Sequence, residues 1–413
     1  MKSSSQLETV RVRRLREMMS IHVQHGAVAG LVALVAEGTD VDVVTLGVQD
    51  LKSKRPMRRN TIFRIASMTK PITAAGAMLL VERGVLGLDD PVERWLPELS
   101  NRSVLRSLDS ELGDVVPATR PISVRDLLTM RMGFGLIWPP TNQKPIQRAI
   151  SRAGLQPGAN PPGMSADEWI GRLGDLPLMH QPSERWMYHT SSDVLSVLIA
   201  RAAKVSFGEF LSEHIFRPLQ MWDTAYWVSD DRLDRLASAY RPGEVGSLVC
   251  ADDSDNGAYS SAPLFECGGT GLVSTVDDYL KFARVLVSKG QYGGGRLMSP
   301  DSVHAMLSNQ LKWETKVRSP FYPGFWENGS WGLGLAVNVR NRGRELGRGG
   351  FGWDGGLGTS WYSDPSSNIT GVLMTQTSWT SPKPPQICED FWRALHPKLD
   401  LVQSTHRAVD CAD

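Results

Sequence analysis

The sequence is poor in cysteine, and the four it has, Cys250, Cys267, Cys388 and Cys411, stand neither in Cys-x-x-Cys pairs nor at metal-ligand spacing. A disulfide scaffold and a structural zinc site are therefore not expected, and the thiols read as buried or incidental in a reducing compartment. An excess of charge of one sign is missing too, since 45 Lys and Arg face 44 Asp and Glu. That balance gives no electrostatic case for nucleic acid or an anionic membrane surface, and it points to a small substrate without strong charge. Long hydrophobic runs are also absent. The longest clean one, Ala27 to Ala36, is too short to cross a bilayer. The first 26 residues are polar and carry Arg11, Arg13, Arg14 and Arg16, without the apolar core and small-residue cleavage site of a secretory signal. A cytoplasmic protein is the expectation.

Several chemical signatures are missing as well. No Gly-x-Ser-x-Gly elbow occurs, which speaks against an α/β-hydrolase. The eight histidines form no His-Glu-x-x-His or other ligand spacing, so no metal is expected. The glycine-rich runs at 268–271, 293–295 and 349–358 lack the Lys-Ser/Thr or downstream acidic partner of a nucleotide loop. No cofactor is implied, and neither an internal repeat nor a low-complexity tract suggests an array.

What is present centres on Thr61–Pro71, where Ser67 stands three residues before Lys70 as a strand-like run gives way to a helix-forming one. Ile72 to Glu82 reads as a buried helix ended by Gly84. If Ser67 opens that helix, Ser67 and Lys70 lie one turn apart on one face. A serine hydroxyl needs a neighbouring base, and a desolvated lysine of lowered pKa can serve. A helix cap followed by a solvated lysine would leave the same four letters. The apolar run after Pro71 favours a buried lysine, which is costly unless it has a task.

A chain of 413 residues can hold a large core and two lobes. A first helix should turn Leu7, Val10, Leu15 and Met18 or Met19 inward, with its arginines solvated. Residues 31–36 and 41–48 read as a hairpin around Glu37-Gly38-Thr39-Asp40. From about 76 to 315 the pattern is mostly helical, with starts at Asp89 to Trp95 and at Ser123, which Asp126 completes as a capping box. Six prolines between 139 and 162 predict a long irregular excursion over about 135–165, either a lid over the Ser67 pocket or a surface insertion. Helices are expected at Val194–Ala203 and Val276–Val287. Strands are expected at Trp331–Val337, Gly358–Ser363 and Ile369–Gln376, with a last helix over Gln386–Leu395. Early and late strands together suggest an α+β fold with one antiparallel sheet built from both chain ends. The two lobes would be 1–75 with 316–413, holding the sheet, and a mostly helical 76–315.

Six landmarks in order carry a resemblance over nearly the whole chain: Ser67-Met68-Thr69-Lys70, Ile122 to Thr129, Trp186-Met187-Tyr188, Pro218 to Thr224, Gly269 to Thr275 and Gly352 to Thr359. The chain resembles the serine β-lactamase-like superfamily of penicillin-recognising enzymes, within it the branch of class C β-lactamases and family VIII carboxylesterases. The resemblance implies a β-lactamase/transpeptidase-like fold, Ser67 as nucleophile, Lys70 as base or proton relay, and Tyr188, its pKa lowered by Lys70, as the group that takes and returns the serine proton. It places Thr190 where the family carries an asparagine. It places Trp353-Asp354-Gly355 where true β-lactamases carry Lys-Thr-Gly, so an indole wall with one N–H donor replaces the ammonium that pairs with a substrate carboxylate. Gly355 and Gly356 would let the strand backbone approach the substrate, and the N–H groups of Ser67 and Gly356 would form an oxyanion hole. His189 is the one histidine placed to line the pocket, although a structural or surface role is expected for it. The resulting expectation is a serine hydrolase acting on short-chain carboxylic esters. A β-lactamase or D-amino-acid peptidase, an acyltransferase on the same machinery, and a non-catalytic binding protein of the same fold stand as alternatives.

Overall fold

The computed structural model of the protein describes residues 9–141, 143–244, 246–340 and 347–395. Its centre is a seven-stranded antiparallel sheet. The strands are β1 (Gly30–Glu37), β2 (Asp40–Gly47), β3 (Gly329–Trp331), β4 (Ala336–Asn338), β5 (Phe351–Gly355), β6 (Thr359–Asp364) and β7 (Ile369–Thr375), in the spatial order β3-β4-β5-β6-β7-β1-β2. The last strand of the chain therefore pairs with the first, Leu34 facing Val372. The sheet is built from both ends of the sequence, as the early and late strands together implied.

The unbroken apolar run of β1 has a plain cause: both faces of the sheet are covered. Leu31, Ala33 and Val35 pack with Leu15 and Met19 of α1 (Val10–Gln24), Phe391 and Leu395 of the last helix Gln386–Leu395, and Leu373. Val32, Leu34 and Ala36 face the other way, into the large cluster that contains Val372, Met374, Ile65, Met68 and Ile72. That cluster continues through Leu128, Leu198 and Phe210, so sheet and helices share one core. Gly371 lets the outer layer close, since a Cβ there would stand 2.6 Å from the Trp392 ring.

Several expectations need correcting. Val10 is 81% exposed rather than inward, and Arg11 is not simply solvated: it bonds Glu37 and Asp42, tying α1 to the hairpin. Leu7 and Cys411 lie outside the described residues. Cys267 and Cys388 are buried, but Cys250 is exposed. The helix expected from Asp89 is a single 3-10 turn, Val92–Arg94, because Pro91 and Pro97 bracket it too closely for a longer helix. The strand expected over Trp331–Val337 is two strands, β3 and β4. The chain turns at Gly334 (φ +84°), where a Cβ would overlap the Ala74 side chain at 2.2 Å. The segment 135–165 is not irregular throughout: Pro145–Ala153 is a helix with Pro145 at its first turn, where a missing N–H costs nothing.

The other predictions agree more closely. The capping box of Ser123 and Asp126 opens Val124–Leu128. The helices α2 (Thr69–Glu82), α3 (Thr190–Ala203) and α4 (Val276–Val287) fall where the sequence pattern placed them. Among the described residues, no helix is long and apolar enough to cross a membrane.

Candidate active site

Ser67 sits on a strained turn between sheet-edge and helix. The short strand Phe63–Arg64 pairs with Val273–Ser274, and Ala66 takes φ +43°, a conformation that costs a non-glycine residue energy. Neighbours hold the turn in place. The Ile65 N–H donates to the Leu272 carbonyl (2.9 Å), Thr359 Oγ1 to the Ile65 carbonyl (3.1 Å) and Tyr279 Oη to the Met68 carbonyl (2.8 Å). A 3-10 turn, Ala66–Met68, then runs into α2. The three-residue spacing brings Lys70 Nζ to 2.9 Å from Ser67 Oγ. Lys70 is 1% exposed. Burial lowers its pKa to about 7, against the opposing pull of Asp193, so at neutral pH much of it is an uncharged amine.

Tyr188 completes the cluster. Its hydroxyl is hydrogen-bonded to Ser67 and accepts from Trp353 Nε1 at 2.8 Å, while Lys70 Nζ stands 4.6 Å from its ring centre. The expectation that Lys70 lowers the phenol pKa is overturned. Burial drives it above the ordinary tyrosine value, and the bonds to Ser67 and Trp353 only partly offset that. In the resting site Tyr188 is therefore a neutral phenol, which gives up a proton before it can accept one. The Trp353 N–H, expected to be free for substrate, is already given to Tyr188.

Two residues that sequence reasoning did not assign stand behind Lys70. His189 is buried, not a surface group, with Nδ1 3.3 Å from Lys70 Nζ and Nε2 3.2 Å from Asp193 Oδ2. Asp193 Oδ1 accepts from the Gly269 N–H at 2.7 Å, and the Gly269 carbonyl accepts from Lys70 Nζ. The glycines of this loop are steric. A Cβ at Gly268 would lie 2.3 Å from the Ser192 carbonyl, and one at Gly269 would lie 2.5 Å from Asp193 Oδ1. The signal in the sequence was the i, i+4 spacing of His189 and Asp193 at a helix start, which is common enough on surfaces to carry little by itself.

A cavity of about 230 Å³ opens over Ser67. Tyr188, His189, Trp353, Asp354 and Gly356 line it together with Trp138, Phe321, Tyr322 and Trp379, which sequence reasoning missed. Leu136 and Pro157 to Ala159 also border it, so the ends of the 135–165 segment form part of its wall. No Lys or Arg is among the lining residues, and Asp354 is their one carboxylate. Burial raises that carboxylate to about 6, and it accepts from Tyr362 Oη at 2.9 Å. Thr190 does not border the cavity. It is buried at the start of α3, and the positive φ of His189 (+85°) presents the imidazole there instead. Gly355 is also absent from the lining. Its missing side chain lets β5 meet the Ile65 carbonyl, which a Cβ would approach to 2.3 Å. Gly356 does face the cavity, with open space where a Cβ would be, and its carbonyl accepts from the Trp379 N–H at 2.8 Å. Among the described residues no group of three or more His, Cys, Asp or Glu is placed to hold a metal ion.

Comparisons with known proteins agree with the fold. Protein Rv1367c of Mycobacterium tuberculosis (strain ATCC 25618 / H37Rv) is 37% identical over 357 residues, covering 85% of this chain and 86% of its own. Esterase EstB of Burkholderia gladioli is 27% identical over 386 residues, covering 89% and 90%. The solved structure of EstCE1, a hydrolase with promiscuous acyltransferase activity, shares the fold with a TM-score of 0.77 at 23% identity, covering 94% of this chain and 98% of that one. The Beta-lactamase family model matches residues 13–386, and the chain belongs to that family of serine hydrolases.

Proposed function

We propose that the protein hydrolyses short-chain, uncharged carboxylic esters through an acyl-enzyme on Ser67. The observation that carries this is a neutral-range amine, Lys70, in hydrogen-bond contact with a serine at the floor of an aromatic cavity. Lys70 takes the proton as Ser67 Oγ attacks the ester carbonyl. The N–H groups of Ser67 and Gly356 steady the oxyanion, and Tyr188 passes its proton to the departing alkoxide. That leaves Lys70 as an ammonium and Tyr188 as a phenolate on either side of the acylated Ser67. In the second half the Tyr188 phenolate takes a proton from water as it attacks the acyl carbonyl, and Lys70 gives its proton to Ser67 Oγ as the acyl bond breaks, which restores both groups.

The lining supports an ester over a lactam or peptide. Penicillins and peptide substrates carry a carboxylate, and the cavity offers it a carboxylate neighbour, Asp354, and no lysine or arginine. The name of Esterase EstB supports ester chemistry in a relative. EstCE1 is a hydrolase with promiscuous acyltransferase activity, and an alcohol in place of water would give this chain the same activity.

The test is a rate panel of p-nitrophenyl esters from acetate to octanoate, a penicillin, a chromogenic cephalosporin and a D-alanyl peptide, each with and without an alcohol acceptor. Fastest turnover is expected on a short ester, and Ser67→Ala should abolish it together with fluorophosphonate labelling. A cephalosporin opened much faster than any ester would overturn the substrate class. Failure of both turnover and labelling would leave a non-catalytic protein of this fold.

A further inference from the structure

We infer that His189 is the positioning residue for the base: its Nδ1 lone pair and the Gly269 carbonyl take the two N–H bonds of the Lys70 amine, leaving that nitrogen's lone pair to face Ser67. The inference rests on Lys70 acting as the base, and on the proposed hydrolase only for its kinetic test.

The geometry around Nζ leads to it. Three groups lie within hydrogen-bond reach: Ser67 Oγ (2.9 Å), His189 Nδ1 (3.3 Å) and the Gly269 carbonyl. A neutral amine has two hydrogens and one lone pair. The carbonyl can only accept. If Nδ1 also accepts, both hydrogens are spent and the lone pair has one direction left, toward the serine hydroxyl. If Nδ1 instead carries a hydrogen, it claims the lone pair itself and the serine loses its base.

Asp193 selects the first arrangement. Its Oδ2 stands 3.2 Å from Nε2, and a carboxylate at that distance favours the imidazole proton on Nε2, which frees Nδ1. Its Oδ1 is held by the Gly269 N–H at 2.7 Å. One residue, Gly269, thus anchors the carboxylate through its N–H and the amine through its carbonyl. The other titratable groups facing Lys70 are the Tyr188 phenol and the Cys267 thiol, both pushed by burial toward their neutral forms. His189 is likewise held neutral, by burial first and by Lys70 second. The strained backbone at His189 (φ +85°, ψ −72°) persists only where surroundings over-determine it, and here three polar contacts do.

Two substitutions separate positioning from packing. Asp193→Asn can still accept from the Gly269 N–H, but its NH2 then faces Nε2 and forces the proton onto Nδ1. His189→Asn keeps an oxygen about where Nδ1 stands and tolerates a positive φ, whereas His189→Ala removes the acceptor. The whole protein, labelled with 15N in its histidines, should show His189 with Nδ1 unprotonated and Nε2 protonated from pH 6 to 9. His189→Asn identifies the signal, and Asp193→Asn should invert the pattern. An imidazolium, or an Nδ1-protonated ring in the unaltered protein at pH 7.5, overturns the inference, and this readout needs no turnover. On p-nitrophenyl butyrate, Asp193→Asn and His189→Ala should each lose roughly 100-fold or more in kcat with KM within about 3-fold, within the range that loss of a positioned proton acceptor costs. His189→Asn should recover about 10-fold over His189→Ala. Unchanged kcat in His189→Ala, with the labelled ring still neutral, also overturns it. Absence of ester turnover in the unaltered protein would instead count against the proposed function, and the tautomer measurement would still decide this inference.

Discussion

Desolvation of the half-buried Tyr188 outweighs the hydrogen bonds it receives, so the phenol keeps its proton at neutral pH and the pH dependence of the reaction falls to Lys70. The base works as a free amine. Activity should therefore be lost as pH falls and Lys70 is protonated, with kcat/KM on p-nitrophenyl butyrate rising through an apparent pKa of about 7. Because the phenol pKa is raised, no decline from tyrosine ionisation is expected up to pH 9. A falling limb between pH 7 and 9 in that profile would contradict the assignment. Trp353 matters at this scale through one bond. Trp353→Phe keeps most of the wall but removes the donor to Tyr188 Oη, and a hydrogen bond of about 1 kcal/mol corresponds to roughly a 5-fold lower kcat. That loss should appear in stopped-flow acylation rates with fold and melting temperature nearly unchanged. The serine and lysine were legible from their one-turn spacing together with the apolar run after Pro71, which argued for a buried lysine. The pKa of Tyr188 was not, because its sign depends on how completely other chain segments exclude water.

The elements that matter for the site are the Ser67 turn, the start of α3, the 265–272 loop and the end of β5. Their glycines were visible in the sequence, but only the contacts give each its reason. Gly269→Ala would drive a Cβ to 2.5 Å from Asp193 Oδ1 and 3.0 Å from His189 Nε2. Overpacking of this kind typically costs about 1–3 kcal/mol. Urea unfolding should show that loss alongside a drop in ester turnover, whereas the open position at Gly356 should accept alanine without loss of stability. Helices with a clean apolar pattern, α4 and Gln386–Leu395, were readable from sequence, α4 to the residue. Elements cut by proline or glycine were misjudged in both directions. Counting prolines hid the helix Pro145–Ala153, and period-two alternation hid the turn at Gly334.

At the scale of the molecule, the sheet is sealed on its outer face by the first and last helices, which meet across it. Phe391 is fully buried in that layer, so Phe391→Ala should cost about 3–5 kcal/mol in chemical unfolding. Ester turnover per folded molecule should change little, because the site lies toward the other layer. Early and late strand-forming stretches on either side of a mostly helical middle were enough, by themselves, to suggest that both chain ends enter one sheet. The Ser67–Lys70 spacing likewise determined which two side chains meet, because local helical geometry needs no help from distant residues. Tertiary structure alone decided that His189 rather than Thr190 faces the cavity, that the Trp353 N–H is spent on Tyr188, and that Asp193 and Gly269 stand behind the base. Those facts depend on how segments some 70 to 290 residues apart in sequence are pressed together. Burial and the directions left open to a lone pair are properties of the packed assembly, and no single stretch of chain carries them.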